Sequence, residues 1–227
     1  GKKGAFTFQM PHEIAIEVPR RLLSTYKEMV FRAPYLEGMP SRFLQTANPV
    51  VLDIGANAGY FSFFVLSKFP KAQIHAFEPF PPNFKLLESY QKAHSQFGLH
   101  LHPVAVAGQP GQLTFNFNPD DDFSTSASLQ ANGESATMEV QAITLPDFVA
   151  KHGISQIDWL KVDCEGAEYD IFRHLNADFL ANVRAITVET HDSPNPGEDK
   201  ASLNQFLQSQ GFNTHTNAVA PLIWAWK

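Results

Sequence analysis

From residue 50 onward, apolar residues occur in short runs that are separated by amphipathic segments. The clearest runs are rich in β-branched or aromatic residues, as buried strands are: VVLDI, QIHAFE, IDWLKVD and RAITVET. Segments of helical length lie between them, namely YFSFFVLSKF, NFKLLESYQKAH and AEYDIFRHL. This alternation predicts an α/β fold in which helices cover both faces of a mostly parallel sheet.

The remaining segments complete the predicted order. LHLHPVAVA is predicted to be a further strand, and TLPDFVAKHG a helix with Thr144 as its N-cap. Apolar and polar residues alternate in GQLTFNFN, which predicts an inserted β-hairpin formed with TMEVQAI. Near the end, FNTHT and LIWAWK have no helix between them, so we expect a hairpin that adds one antiparallel strand to the sheet.

The first 48 residues follow a different pattern, which Pro19, Pro34 and Pro40 interrupt. We predict an N-terminal helical extension or cap over residues 1–48 and a cofactor-binding domain over residues 49–227. Residues 119–135 are polar and rich in turn formers. We expect this long loop and part of residues 12–47 to form a lid and acceptor pocket. A surface excursion without a function is the alternative.

Composition and charge narrow the class of protein. A net charge of −6 over 227 residues argues against a nucleic-acid partner. The single cysteine, Cys164, excludes an internal disulfide and fits a reducing compartment. No apolar run approaches the roughly 20 residues that span a bilayer, and no signal-peptide pattern is present. We therefore expect a cytoplasmic protein without a membrane partner, whose oligomeric state stays open.

The first candidate site is the loop after VVLDI. Asp53 ends the strand, and Gly55, Asn57 and Gly59 follow in a loop with few side chains, against which a ligand could lie. A dinucleotide fingerprint would place glycine where Asn57 stands. Asp53 would also repel a pyrophosphate, which disfavours a nicotinamide dehydrogenase. S-adenosyl-L-methionine carries an ammonium group and no phosphate, and so fits this loop better.

The second strand ends in Glu78, followed by Pro79. In sheets of this kind, an acidic residue at this position can accept hydrogen bonds from both hydroxyls of a ribose. Pro79 fixes the turn that follows. The loop and Glu78 together predict a nucleoside-containing cofactor.

A second group of polar residues ends the next two predicted strands, KVDCEG and TVETH. Asp163 and Glu165 are expected to project over the same cleft as the first loop, with Asp163 as a further cofactor contact, while Glu189 and His191 share one strand face. Lys161 is expected to pair with one of the acids. Glu168 is expected to brace the following helix, and Cys164 to be a small core residue.

We predict that His191, oriented by a neighbouring acid, is the general base for a hydroxyl acceptor. Asp163 is the competing base. A divalent metal held by Asp163, Glu189 and His191 is a third option, but no metal is assigned because no tight ligand spacing supports it.

Six segments occur in unbroken order over about residues 50–192: VVLDIGANAGYFSF, IHAFEPFPPNFKLL, HPVAVAG, ITLPDFV, IDWLKVDCEGAEYDIF and AITVETH. Together they resemble the FkbM-type family of S-adenosylmethionine-dependent methyltransferases. The resemblance implies a class I methyltransferase fold: a doubly wound, seven-stranded, Rossmann-like sheet with an antiparallel C-terminal strand. It also implies O-methylation of natural products or sugars.

The resemblance extends to further site residues. HPVAVAG implies a cofactor contact at Ala105, and the serine-rich STSASL implies an acceptor contact at Ser126. Glu165 and Glu189 are also expected to bind the acceptor, which is a small molecule or carbohydrate. An N-methyltransferase and a non-catalytic S-adenosylmethionine-binding module are the alternatives.

Overall fold

The computed structural model of the chain describes residues 4–41, 43–44, 46–117 and 136–227. Its strands are β1 (Ala5–Met10), β2 (Ile14–Pro19), β3 (Val50–Ile54), β4 (Gln73–Phe77), β5 (Gly98–His102), β6 (Ala105–Val106), β7 (Gly111–Phe117), β8 (Ala136–Ile143), β9 (Trp159–Val162), β10 (Ala185–Glu189), β11 (Asn213–Thr216) and β12 (Leu222–Trp226). Its α-helices are α1 (Leu23–Lys27), α2 (Pro34–Glu37), α3 (Tyr60–Lys68), α4 (Pro81–Ala93), α5 (Leu145–His152), α6 (Glu168–His174), α7 (Ala177–Ala181) and α8 (Lys200–Ser209). A 3₁₀ turn over Arg20–Leu22 precedes α1, and a π-helical turn over Glu28–Arg32 follows it.

The predicted seven-stranded sheet is present, in the order β11-β12-β10-β9-β3-β4-β5. The strands from β10 to β5 in this order pair in parallel. β12 pairs antiparallel with both β10 and β11. The carboxyl ends of β3, β4, β9 and β10 consequently meet at one edge, where ligands of such sheets bind.

A separate three-stranded sheet has the order β6-β8-β7, with β7 and β8 antiparallel. The strand predicted over LHLHPVAVA is divided, because β5 belongs to the main sheet and β6 to this one. Pro103 lies between them and has no N–H to donate to a ladder.

The core lies in two layers, one on each face of the main sheet. Successive strand residues point to opposite faces. Val51 and Trp224 accordingly pack in the layer that contains α3 and β2, whereas Leu52 and Ile223 pack in the layer that contains α6 and α8. This division explains the near-continuous apolar runs of the sequence, since both faces of these strands are buried.

The predicted helical character of the N-terminal extension is wrong for its first part, since β1 and β2 form an antiparallel hairpin. His12 and Glu13 turn the chain with φ angles of 62° and 60°. One side of β2 is fully buried: Ile14, Ile16 and Val18. This spacing of two residues is the sequence signal for a strand. Helical turns follow between Arg20 and Glu37.

Helix starts follow local chemistry where the sequence predicted it. Thr144 caps α5 by accepting a hydrogen bond from the backbone N–H of Asp147. Prolines occupy the first turn of α4, where their missing N–H groups leave no helical bond unmade. No helix within the described ranges is long and apolar enough to cross a membrane.

Candidate active site

A cavity of about 960 Å³ opens at the carboxyl ends of β3, β4, β9 and β10. This volume lies at the upper end of the range for small-molecule sites. Its wall includes most of the predicted site residues: Gly55, Asn57, Glu78, Pro79, Ala105, Asp163, Glu165 and Glu189. Other parts of the wall come from the N-terminal segment and the β11–β12 turn, among them Thr25, Met29, Tyr35, Asn217 and Pro221.

The loop after β3 brings backbone to the cavity wall. Gly55 has a φ of 75°, and an added Cβ would lie 1.7 Å from the backbone oxygen of Asp163, so only glycine fits. Asn57 also has a positive φ, 51°, and its N–H donates to Glu78 Oε2 over 2.7 Å. The loop is therefore held between the ends of β4 and β9.

Gly59 is predicted to contact the cofactor but is not among the residues that line the cavity. It precedes α3 with a φ of 82°, and an added Cβ would lie 2.3 Å from Leu87 Cδ1. The geometry therefore gives Gly59 a packing role, which lets α3 begin close to α4.

Glu78 lies at the cavity with only 5% of its surface exposed. Its Oε1 accepts the N–H of Phe80 over 2.9 Å, and its Oε2 accepts the N–H of Asn57. Burial raises the pKa of Glu78 to about 7, although both backbone bonds lower it. Each carboxylate oxygen has a further lone pair, so Glu78 can still accept hydrogen bonds from a ligand.

The Asp53 carboxylate does not reach the cavity. It is fully buried, accepts a hydrogen bond from Ser62 Oγ over 2.7 Å and pairs with Lys161 Nζ at 3.1 Å. Lys161 also donates to the backbone oxygens of Ile54 and Gly55 over 3.1 and 2.7 Å. The prediction that Asp53 binds a cofactor ammonium is thus corrected, because the ammonium that it binds belongs to the protein.

This ion pair keeps Lys161 charged at the centre of the fold. Burial by itself lowers the pKa of Lys161, but Asp53 and Asp163 outweigh that effect and the pKa is raised. Lys161 is 2% exposed and lies behind the first loop, which its two carbonyl bonds fix in place. The predicted pairing of Lys161 with an acid is confirmed.

Tyr35 connects the N-terminal segment to the acids at the strand ends. Its hydroxyl lies 2.6 Å from Asp163 Oδ2 and 3.0 Å from Glu189 Oε2. Burial, followed by the two carboxylates, raises the pKa of Tyr35 well above its usual value, so the hydroxyl keeps its proton. Burial and Asp163 also raise the pKa of Glu189.

The main chain at Tyr35 is held by buried side chains of the sheet. Trp224 Nε1 donates to the backbone oxygen of Pro34 over 3.0 Å, and Thr187 Oγ1 donates to that of Tyr35 over 3.1 Å. Sequence analysis missed Tyr35, since 128 residues separate it from Asp163 and no local pattern marks it.

His191 lies between two acids that follow β9. Its Nδ1 is 2.8 Å from Glu168 Oε1, and its Nε2 is 3.5 Å from Glu165 Oε2. Burial lowers the pKa of His191, but the bond to Glu168 and the charges around it raise the pKa to about 9. The neighbouring acid that was expected to orient His191 is therefore Glu168.

Glu168 also braces the start of α6, as predicted. It is fully buried and accepts the N–H groups of Cys164 and Gly166. Glu165 turns toward the cavity with a positive φ of 56°, and burial, opposed by His191, raises its pKa to about 7. The two acids of this turn thus have different roles: one supports the loop and one faces the ligand space.

Asp163, Glu189 and His191 come together in space. Each offers one ligand atom, and these atoms all lie within 4.8 Å of one another. His191 is not among the residues that line the cavity, whereas Asp163 and Glu189 are. The predicted convergence of the two strand ends is confirmed by these distances.

Two other predicted positions have different outcomes. Cys164 is half-buried and lines the cavity, so its assignment to the core is wrong in part. Ser126 and the predicted lid loop, residues 119–135, lie outside the described residues.

The fold and the site define the class of protein. A seven-stranded α/β sheet carries a cavity at the carboxyl ends of its strands. The cavity is lined by the glycine-containing loop after β3, by an acid after β4 and by acids at the ends of β9 and β10. This is the architecture of class I methyltransferases.

Comparison with known proteins identifies the family. Residues 53–214 match the family described as Methyltransferase FkbM domain, and the chain belongs to this family. It is 27% identical over 180 residues to Methyltransferase 1 of Beauveria bassiana (strain ARSEF 2860), with 71% of each chain covered. It is also 27% identical over 173 residues to the 31-O-demethyl-FK506 methyltransferase FkbM of Streptomyces tacrolimicus. This alignment covers 63% of this chain and 65% of the relative.

The fold likeness extends to a solved structure, the methyltransferase FkbM from Methylobacillus flagellatus KT. The TM-score is 0.57 at 13% identity, over 88% of this chain. The chain spans 48% of that protein's length. At this identity the likeness concerns the fold alone.

Proposed function

We propose that this protein transfers a methyl group from S-adenosyl-L-methionine to a hydroxyl group of a small molecule or carbohydrate. The observation that carries the proposal is a single cavity of about 960 Å³ that contains both halves of such a site. The loop from Gly55 to Asn57 and Glu78 lie in its wall, and so do Asp163 and Glu189.

The residues of the first half fit the cofactor. Glu78 has acceptor capacity for ribose hydroxyls, and burial at the cavity makes such bonds strong. The glycine loop lets the cofactor lie against the backbone, and no basic side chain from this loop is present to hold a phosphate. When bound, S-adenosyl-L-methionine supplies a methyl carbon that is activated by a sulfonium.

The second half fits an acceptor that must lose a proton. In methyl transfer to a hydroxyl, the oxygen forms a bond to the methyl carbon, the carbon–sulfur bond breaks with its electron pair left on sulfur, and the hydroxyl proton leaves. Asp163, Glu165 and Glu189 face this part of the cavity and can accept hydrogen bonds from hydroxyls. Alignment of the acceptor supplies several kcal/mol of rate enhancement in such reactions.

Two further observations support this acceptor, the first for a hydroxyl over an amine and the second for the class of molecule. The relative from Streptomyces tacrolimicus is named for action on an O-demethyl compound. The net charge of −6 supports a small-molecule or carbohydrate acceptor over a nucleic acid.

The base that takes the proton is a separate question. His191 is the base that the sequence favours, and Glu168 holds its ring in one orientation. Its pKa of about 9 leaves it protonated at neutral pH, so it serves as a base only at alkaline pH. Asp163 competes because it lines the cavity, which His191 does not. Two variants separate these candidates. A loss of turnover by roughly 10²–10⁴ in His191→Ala, with cofactor affinity unchanged, supports His191. A loss of turnover in Asp163→Asn but not in His191→Ala supports Asp163.

Cofactor binding gives the first test. Calorimetry with S-adenosylhomocysteine should show one site per chain, and Glu78→Gln should weaken it by about 10- to 100-fold, since each lost charge-assisted bond costs about 1.5–3 kcal/mol. Glu88→Gln is the matched control, because Glu88 is 43% exposed on α4 and pairs with Lys92. Equal affinity in the Glu78 and Glu88 variants would remove Glu78 from the site.

Product analysis gives the second test. The protein should be incubated with a hydroxylated metabolite extract and S-adenosyl-L-methionine carrying a deuterated methyl group, followed by mass spectrometry. A labelled methyl on oxygen supports the proposal, and a label on nitrogen favours the N-methyltransferase. Cofactor binding without any S-adenosylhomocysteine formation favours the non-catalytic module.

A further inference from the structure

We propose that Asp163, Glu189 and His191 form a binding site for a divalent cation of the Mg²⁺ or Mn²⁺ type beside the acceptor position. The site itself stands on the geometry of these residues, and only its role in catalysis rests on the proposed function. The three residues come from adjacent strand ends, after β9 and at and after β10. The parallel pairing of β9 with β10 therefore brings them together.

The donor atoms are close enough to share one ion. One ligand atom from each residue lies within 4.8 Å of the other two. A cation at their centre reaches typical metal–oxygen distances of about 2.0–2.6 Å after small side-chain adjustments. All three residues are half-buried, so an ion would be partly shielded yet open to water and ligand.

Asp163 and Glu189 share their nearby positive charge with other acids, since His191 also contacts Glu165 and Glu168, and Lys161 also pairs with Asp53. Tyr35 contacts both Asp163 Oδ2 and Glu189 Oε2, at 2.6 and 3.0 Å, but its hydroxyl has one proton and can donate to only one of them. Lys161 Nζ is 3.7 Å from Asp163, and its shorter contacts are to Asp53 and two backbone oxygens. Two adjacent carboxylates with one shared donor are stabilised by a dication.

His191 is oriented as metal-binding histidines are. The fully buried Glu168 holds Nδ1 at 2.8 Å, which leaves Nε2 as the nitrogen for an ion. A carboxylate behind the ring fixes its tautomer and direction in many metal sites. Two carboxylates and one imidazole, without a thiolate, favour Mg²⁺ or Mn²⁺ over soft metals.

The cation would take part in the proposed reaction through the acceptor hydroxyl. An acceptor hydroxyl beside a bound ion would have a lowered pKa and would release its proton to solvent, and its oxygen would form the carbon–oxygen bond as the carbon–sulfur bond breaks. The electron pair of that bond stays on sulfur. The ion thereby stabilises the developing negative charge on oxygen.

The test measures binding of Mn²⁺ itself, by the loss of the free-ion electron paramagnetic resonance signal, on the full chain without cofactor at mildly alkaline pH. We expect one Mn²⁺ per chain, displaced by excess Mg²⁺. Asp163→Asn and Glu189→Gln should each weaken binding at least about tenfold, and Glu168→Gln by about 10- to 100-fold. Circular dichroism establishes that each variant is folded.

Glu37→Gln is the matched control, because Glu37 lines the same cavity but lies outside the group of three. Its Mn²⁺ affinity should equal that of the wild type. Absence of Mn²⁺ binding, or binding that survives both Asp163→Asn and Glu189→Gln, overturns the inference and leaves a protein base as the route for the proton. Calorimetry with S-adenosylhomocysteine and the Glu78→Gln variant tests the proposed function independently, since Glu78 is not one of the three cation ligands.

Discussion

Replacing Lys161 with methionine should destabilise the protein strongly, because the side chain neutralises a carboxylate that water cannot reach. Asp53 is fully buried and Lys161 is 2% exposed, with Nζ and Oδ1 at 3.1 Å. Methionine fills much of the same volume but carries no charge. The variant therefore leaves Asp53 with the Ser62 hydroxyl as its only other polar contact in the described structure.

The expected cost follows from burial. Removing one partner of a buried ion pair costs about 3–5 kcal/mol, since the other charge stays desolvated and unpaired. The variant also removes the donors to two backbone oxygens at the start of the first loop. Against a total stability of about 5–15 kcal/mol for a domain, this is a large share.

The measurement is urea denaturation, with Lys92→Met as the matched control. Lys92 and Glu88 form an ion pair of similar length, 2.9 Å, but their side chains are 67% and 43% exposed. The same substitution there should cost no more than about 0.5 kcal/mol. The two pairs are similar in length and differ in burial and in the two backbone oxygens that Lys161 also contacts.

A double-mutant cycle separates the charge from the packing. Asp53→Asn combined with Lys161→Met should recover part of the loss, with a coupling energy of about 1–3 kcal/mol. Cofactor affinity in Asp53→Asn should change much less than in Glu78→Gln, because Asp53 lies behind the cavity wall. A Lys161→Met cost no larger than that of Lys92→Met, or zero coupling with Asp53, would refute the argument.

Three other outcomes are expected. Gly55→Ala should destabilise the protein by roughly 2–5 kcal/mol in urea denaturation, because the added Cβ meets a backbone oxygen at 1.7 Å. Gly211→Ala is the control: its φ is similar, 83°, but nothing lies within 4 Å of the added Cβ, so only the backbone cost of about 1–2 kcal/mol is expected. Equal losses in the two variants would contradict the steric argument. Glu78 has a pKa of about 7 and should bind ribose as the carboxylate, so calorimetric affinity for S-adenosylhomocysteine should fall as the pH drops below about 7, and a flat profile would count against that contact. Burial and neighbouring imidazoles lower the pKa of His75 and of His102 from 6.5 to about 4. The unfolded chain therefore binds protons on these histidines below about pH 6.5, and the folded chain only near pH 4. The free energy of unfolding should fall as the pH is lowered from about 6.5 to about 4. A His102→Gln variant whose free energy of unfolding falls equally steeply with pH would contradict the effect.

Local patterns were sufficient for the sheet and for half of the site. The spacing of apolar side chains along a strand or a helix is a local property that can be read from the sequence. Neighbouring parallel strands then place their carboxyl ends at the same edge of the sheet. The positions of Asn57, Glu78, Asp163 and Glu189 around one cavity follow from these strand ends together with the order of strands in the sheet, which the family resemblance implied.

Prolines misled the prediction of the N-terminal segment. Pro19 and Pro34 suggested helices with breaks, and the alternation of Ile14, Ile16 and Val18 was overlooked, although it predicts the observed strand. In this segment the two-residue spacing of apolar side chains, and not the position of the prolines, indicates the secondary structure.

The sequence by itself determined the α/β order, the glycine that the first loop needs and the acids that end the strands. Only the tertiary structure decided which acids face the ligand. Asp53 turns inward because Lys161, from the neighbouring strand, supplies its counter-charge at 3.1 Å. Tyr35 reaches Asp163 across 128 residues of chain. Such pairings depend on which side chains meet after the sheet has formed, and no period along the chain encodes them.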